Sequence, residues 1–122
     1  MRRALLLAAG FLTVAASPTA TKGPYVNYPN IPGEVLLEND RVVVQKFVIA
    51  PGQWEGVHSH PGNQVYVHVR GGQWTVRRSG KETTSVSPDG SVGWMDAIPL
   101  SEEHQSGNTG DKPIELIWIT LK

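Results

Sequence analysis

Cysteine is absent from this chain of 122 residues, so disulfide bonds, thiolate metal ligands and a lipid-modified cysteine anchor are excluded. The chain also has no excess of either charge, because its 11 lysine and arginine residues balance 11 aspartate and glutamate residues. We therefore expect no nucleic acid among the partners, and the basic pair Arg77 and Arg78 fits a solvated strand face better than a binding site. The length is sufficient for one domain.

Long hydrophobic runs are missing as well. The apolar stretch at residues 4–16 is too short for an ordinary membrane-spanning helix. It follows two arginines and precedes small residues, a pattern typical of a signal peptide. We therefore expect a signal peptide at residues 1–20, cleaved near Ala16 or Ala20, with no stable membrane anchor and a periplasmic or secreted location. A Sec-type signal fits best, and the paired arginines also allow twin-arginine export.

Strand signals dominate the remaining sequence. Residues 21–34 are rich in proline, glycine and asparagine and predict an extended N-terminal arm. Alternating or apolar runs bounded by turn residues predict strands at 41–50, 56–60, 64–70, 73–78, 83–86, 92–98 and 114–121. Because no stretch has a long helical period, we expect an all-β barrel or sandwich.

Three of the four histidines fall in a spaced pattern. From Gly52 to Gln64 the sequence reads G-x5-H-x-H-x3-Q, which places His58 and His60 two residues apart. On a strand both imidazoles would share a face and could bind one divalent ion. Gln64 follows across a tight turn, and its amide oxygen could also serve as a ligand.

A second pattern lies near the C-terminus. From Gly93 to Asn108 the sequence reads G-x5-P-x-S-x2-H-x3-N, with Pro99, Ser101 and His104 at the inner positions. The stretch before His104 is turn-like and could bring this side chain back into a barrel. The two patterns together indicate a metal site on a β-rich scaffold.

These two patterns resemble the conserved motifs of the cupin superfamily, G-x5-H-x-H-x3,4-E-x6-G and G-x5-P-x-G-x2-H-x3-N. The surrounding sequence is most similar to small single-domain bacterial cupins, some of which carry the label β-alanine-degradation protein. The resemblance implies one double-stranded β-helix, a jelly-roll barrel, over residues 35–122, and small cupins are often homodimers. It also implies that His58, His60 and His104 bind one divalent transition metal ion. Fe(II) is favoured, while Mn, Ni, Zn or Cu would also suit imidazole ligands.

Two positions depart from the family pattern. Ser101 stands where glycine is usual, which matters only if the backbone there needs a positive φ. Gln64 stands where glutamate is usual, so it either binds as a neutral ligand or leaves a site of three histidines. A neutral ligand set leaves the full +2 charge on the ion, which favours anionic substrates.

Several neighbouring side chains are candidates for further roles. Tyr66 and His68 should share the inward face of their strand with Gln64. They are candidate catalytic residues for proton transfer, and the alternative is that both are simply buried with satisfied hydrogen bonds. Trp94 is expected to line a pocket above the metal, and Asp96 to be buried beside a ligand histidine.

Glutamates flank the motif histidines. A carboxylate beside a metal pocket could act as a general base, although loop glutamates are more often solvated. The three residues in question are Glu55, Glu102 and Glu103.

The sequence therefore predicts an exported metal-dependent enzyme, of dioxygenase type, acting on a small anionic organic substrate. Two alternatives remain open: a non-catalytic protein that binds a metal or small ligand, and a lyase or isomerase that uses the metal as a Lewis acid.

Overall fold

The fold is almost entirely β, and the structure, a computed structural model, describes residues 25–122. The predicted signal peptide at residues 1–20 lies outside the described residues. A short 3-10 helix (Leu100–Glu102) precedes His104. In chain order the strands are β1 (Glu34–Glu38), β2 (Val42–Ile49), β3 (Gln64–Arg70), β4 (Gly72–Arg78), β5 (Lys81–Ser87), β6 (Ser91–Met95), β7 (Gln105–Asn108) and β8 (Ile114–Leu121).

The strands form two antiparallel sheets. The larger sheet has the order β1-β2-β8-β3-β6, and the smaller has the order β5-β4-β7. This arrangement confirms the predicted all-β fold, a double-stranded β-helix. Within residues 25–122, no helix is long and apolar enough to cross a membrane.

The core lies against the inner face of the larger sheet. Burial alternates along β2 and β8, so every second side chain points inward. The register places Phe47 opposite Leu116 and Ile49 opposite Ile114. The ring of Trp118, also on β8, completes this apolar layer.

The described part of the predicted arm, residues 25–33, packs onto the barrel. Val26, Tyr28 and Ile31 are buried in the core. The Gln45 side chain accepts a hydrogen bond from Val26 N at 2.8 Å and donates one to Val26 O at 3.0 Å. This reciprocal pair satisfies the buried backbone of the arm, and β1 begins directly after it at Glu34.

Strand predictions succeeded where apolar alternation was continuous. The segments at 64–70 and 114–121 are confirmed as β3 and β8. The predicted strand at 56–60 is wrong, because Gly56 and Gly62 adopt φ values of +85° and +86° that interrupt an extended chain. His60 instead forms an isolated bridge with Ile98.

Gly93 makes room for a side chain of the neighbouring strand. It lies opposite Tyr66 in the β3–β6 pairing. A Cβ atom at position 93 would overlap the Tyr66 ring. The first glycine of the second motif therefore leaves the space that this aromatic ring occupies.

Candidate metal centre

Three histidines converge inside the barrel from two separate segments. His58 and His60 lie on the irregular segment before β3, and His104 lies between the 3-10 helix and β7. Backbone hydrogen bonds fix the two segments together, with His58 N donating to His104 O and His60 N donating to Ile98 O, both at 3.0 Å. All three side chains are buried, and one ring nitrogen from each lies within 4.8 Å of the others.

The ring nitrogens of His58 and His60 face each other. His58 Nδ1 donates a hydrogen bond to Gly56 O at 2.7 Å, so this ring has its lone pair on Nε2. His58 Nε2 lies 3.0 Å from His60 Nε2. Two lone pairs at this separation repel each other unless a proton or a cation lies near both, and a metal ion satisfies them together.

Gln64 holds the ring of His60. The Gln64 Oε1 atom accepts a hydrogen bond from His60 Nδ1 at 2.9 Å, which leaves His60 Nε2 as the coordinating atom. Gln64 Nε2 donates to Thr120 Oγ1 at 2.7 Å. The amide oxygen is thus engaged with a ligand histidine, and direct coordination by Gln64 stays a prediction.

His104 carries an unsatisfied ring nitrogen. Its Nδ1 atom is buried and has no hydrogen-bond partner within residues 25–122. Buried polar atoms of this kind are rare and need an explanation, of which an ion is one. The orphaned nitrogen and the facing Nε2 atoms of the other two histidines show that the triad can bind a metal.

Burial keeps all three imidazoles neutral. It lowers the pKa of His58 to about 4, that of His60 to about 3 and that of His104 to about 4. The neighbouring histidine charge is a further cause for His60 and His104. A metal ion therefore does not have to compete with protons for these ligands near neutral pH.

Glu55 is a buried carboxyl group beside the triad. Its side chain is only 2% exposed, and Oε2 lies 3.9 Å from His58 Nε2. Ser106 N donates a hydrogen bond to the same oxygen at 3.0 Å. Burial raises the pKa of Glu55 to about 8, against the opposing effect of hydrogen bonds from Ser106 and Tyr28. The expectation that this glutamate is solvated is therefore wrong, whereas Glu103 is exposed as expected.

A cavity of about 240 Å³ opens beside the triad. Tyr66 and His68 both line it, which confirms that they share the inward face of β3, although their catalytic role stays a prediction. The Ser91 hydroxyl lies 3.3 Å from His68 Nδ1, and burial lowers the pKa of His68. The apolar wall is formed by Trp74, Met95, Ile98, Leu116 and Trp118.

Arg78 brings a positive charge to the same cavity. It ends β4, lines the cavity and pairs with the Glu102 carboxylate. Its charge contributes to the lowered pKa values of His60 and His104. Both arginines are exposed, as expected, and Arg78 reaches the cavity as well. Arg77 points to the other face of the strand, where it pairs with Glu82 and lies 4.0 Å over the ring of Trp54.

Two predicted neighbours of the site lie elsewhere. Trp94 is 51% exposed and donates a hydrogen bond to Asp96 at 2.9 Å, on the outer face of β6. The expectations that Trp94 lines the pocket and that Asp96 is buried beside a histidine are therefore wrong. Trp94 pairs with Val65 between β6 and β3, and in this register its side chain points outward.

The remaining motif residues are structural. Asn108 is fully buried and donates hydrogen bonds to Ile49 O at 2.9 Å and Lys112 O at 2.7 Å. Ser101 lies in the 3-10 helix, and the left-handed residue of this turn is Glu103, with φ of 50°. Replacing the usual glycine by Ser101 therefore imposes no backbone strain.

Comparison with known proteins identifies the family of this chain. The cupin domain family model matches residues 45–120, so the chain belongs to the cupin family. No curated protein matches its sequence. A cupin domain from Bordetella pertussis is similar in structure, with a TM-score of 0.68 and 23% identity over 80% of this chain and 99% of that chain.

Two further solved structures support the fold. A Cupin 2 conserved barrel domain protein from Salinispora arenicola has a TM-score of 0.54 and 17% identity, covering 85% of this chain and 91% of that one. A predicted oxalate decarboxylase from Thermotoga maritima has a TM-score of 0.50 and 19% identity, covering 75% and 79%. At these identities the likeness shows the fold alone, and none of the three descriptions mentions β-alanine degradation.

The sequence left the role of Glu55 open between a general base and a solvated side chain, and it did not assign Arg78 to the site. Glu55 precedes His58 by three residues on a segment that is not a regular strand, so its inward direction was hidden. Arg78 lies far from both motifs in sequence and reaches the cavity only through the pairing of β4 with β7. The position of Glu55 inside the first motif was a signal that it lies near the histidines. The sequence contains no comparable signal for Arg78.

Proposed function

We propose that this cupin is a metal-dependent enzyme of dioxygenase type that acts on a small anionic organic substrate. The observation that carries the proposal is that two histidines of the triad, His60 and His104, line one cavity of about 240 Å³ together with Arg78. His58, His60 and His104 would hold one divalent transition metal ion, with Fe(II) favoured. When bound, such an ion supplies Lewis acidity and, if it is iron, redox chemistry with O₂.

The cavity supports a substrate with one charged and one apolar part. Arg78 can pair with a carboxylate or another anionic group, because a guanidinium binds such groups through two parallel hydrogen bonds. The apolar wall opposite, which includes Met95 and Trp118, would exclude water from the rest of the substrate. Tyr66 and His68 would hold or move a proton, since both carry titratable groups on the cavity wall.

A lyase or isomerase activity is the second candidate. It is favoured by the number of proton-carrying side chains at the cavity, which include Glu55, Tyr66 and His68. In this case the same residues would transfer protons without any need for O₂.

The location and assembly of the protein are also proposals. The N-terminal sequence supports export to the periplasm or beyond. Exposed apolar side chains on the edge strand β1 support a homodimer, because such an edge can pair with a second copy.

The first test is the metal content of the purified protein, followed by an oxygen-uptake screen after anaerobic loading with Fe(II). We expect about one ion per chain in the wild type and none in His58→Ala. The screen should cover diketones, thiol acids and hydroxy acids. Turnover that persists without O₂ and with Zn(II) would instead select the lyase or isomerase, and metal without turnover on any class would support the non-catalytic alternative.

Two adjacent arginines provide a test variant and a matched control for the recognition of an anionic substrate. Arg78→Gln should raise KM for an anionic substrate by roughly 10–100-fold, because the lost ion pair contributes to binding. Arg77→Gln removes an identical charge, together with the contact of Arg77 over Trp54, from the other face of the same strand and should leave KM unchanged. Equal effects of the two substitutions would contradict the proposed role of Arg78.

A further inference from the structure

We propose that Glu55 supplies the negative charge that the metal centre lacks at position 64. The family pattern has a glutamate at position 64, and this chain has a neutral glutamine there. A buried carboxyl group nevertheless lies beside the histidine triad, contributed by a position three residues before His58. This inference rests on the proposal that the triad holds a divalent ion.

The distances place Glu55 within electrostatic reach of such an ion. Glu55 Oε2 lies 3.9 Å from His58 Nε2, the nitrogen that faces the other ligand ring. An ion bound to that nitrogen at roughly 2.0–2.1 Å would be no farther than about 6 Å from the carboxylate oxygen. Opposite charges at this separation attract strongly in a buried site.

Two hydrogen bonds would stabilise the ionised carboxyl group against the cost of its burial, but no cation lies beside it. Ser106 N and the Tyr28 side chain both hydrogen bond to Glu55. Among residues 25–122, no lysine or arginine nitrogen lies within 4.0 Å of this carboxylate, and its one ionic neighbour is His58. A buried carboxylate needs a compensating positive charge, and an ion bound to His58 would provide it.

Glu55 is held in this position by its own backbone. Glu55 N donates to Ser106 O at 2.9 Å, and Glu55 O accepts from Asn30 N at 3.1 Å. Gln64, by contrast, is hydrogen bonded to His60 and Thr120. In the family pattern one glutamate would both orient the site and supply its negative charge. In this chain Gln64 orients the ring of His60, and Glu55 supplies the negative charge.

The experiment measures the affinity for Zn(II) by competition with a chromophoric chelator. Glu55→Gln keeps the shape and hydrogen-bonding capacity of the side chain and should weaken Zn(II) binding by roughly 10–100-fold, as for other groups that support metal ligands. Adding Gln64→Glu to this variant should recover most of that loss, since it returns a carboxylate to the site. Glu103→Gln, which removes an exposed carboxylate next to His104, serves as the control and should bind like the wild type.

The outcomes separate this inference from the metal site itself. If the wild type binds no Zn(II), the metal centre and the role of Glu55 both fail. If the wild type binds and a folded Glu55→Gln variant has a Kd within twofold of it, the inference alone is overturned. If Glu55→Gln does not fold, the single substitution Gln64→Glu decides. A decrease of less than tenfold in its Kd for Zn(II), relative to the wild type, means that Glu55 already supplies the charge. A decrease of tenfold or more refutes the role of Glu55.

Discussion

The buried carboxyl group of Glu55 makes the stability of the metal-free protein fall above about pH 7. Burial raises the pKa of Glu55 from 4.5 to about 8. Between these values the unfolded chain has released a proton that the folded protein keeps, so Glu55 progressively reduces stability as the pH rises from 4.5 to 8. Each pH unit in this window corresponds to about 1.4 kcal/mol.

The histidine triad acts in the opposite direction. Burial lowers the pKa values of His58, His60 and His104 from 6.5 to about 4, 3 and 4. Below pH 6.5 the unfolded chain takes up protons that the folded protein excludes, so stability falls as the pH falls from 6.5 towards 4. Between pH 4.5 and 6.5 three histidines outweigh one glutamate, and the two effects balance close to pH 7, above which the glutamate dominates. Maximum stability is therefore expected at about pH 7.

Urea unfolding of chelator-treated protein, followed by tryptophan fluorescence, measures this profile. From pH 6.5 to 8, Glu55 alone should cost the wild type about 1.6 kcal/mol of unfolding free energy, while loss of the histidine protons in the unfolded chain returns about 1.2 kcal/mol, so the wild type should decline by only about 0.5 kcal/mol. Glu55→Gln lacks the first effect, so its unfolding free energy should rise by about 1 kcal/mol over the same interval. Glu103→Gln should behave like the wild type. Parallel pH profiles of the wild type and Glu55→Gln would refute the reasoning.

Three further substitutions test the scaffold. Gly93→Ala should destabilise the protein by about 1–3 kcal/mol in urea unfolding, because the added Cβ would overlap the Tyr66 ring, and Tyr66→Leu in the same chain should recover part of the loss. Asn108→Ala should cost about 3 kcal/mol in the same assay, because two backbone carbonyls and one amide lose a buried partner. Leu37→Lys should convert a homodimer into a monomer in light scattering, since Leu37 is 52% exposed on the edge strand; a monomeric wild type would contradict this.

The ligand triad could be predicted from the sequence because motif spacing survives an error in local structure. His58 and His60 were expected on a strand, yet Gly56 and Gly62 bend that segment away from regular pairing. The two rings still meet because their backbone amides are fixed to the segment that carries His104. The prediction that the three histidines lie together was therefore correct, although the reason given for the shared direction of His58 and His60 was not.

Side chains outside the two motifs could not be placed in the same way. Burial depends on which sheet covers a segment, and β7 was not recognised because its sequence, QSGN, has no apolar alternation. This strand supplies Ser106, whose amide holds the Glu55 carboxylate, and it pairs with β4, which ends at Arg78. The charged groups at the cavity thus became visible only when the smaller sheet was assembled.

Gln64 and Thr120 provide the last prediction, which concerns why an amide suits position 64. The Gln64 amide accepts from His60 Nδ1 and donates to Thr120 Oγ1 at 2.7 Å, and both Gln64 and Thr120 are almost fully buried. A carboxylate could accept the first hydrogen bond but has no proton to donate in the second. Thr120→Val keeps the volume and removes the acceptor, so it should cost about 1–3 kcal/mol in urea unfolding, because a buried N–H group loses its partner. Thr120→Ser retains the hydroxyl and should lose clearly less. If the valine variant matched the serine variant in stability, the Gln64–Thr120 contact would not be what fixes the amide, and the orientation of His60 would need another source.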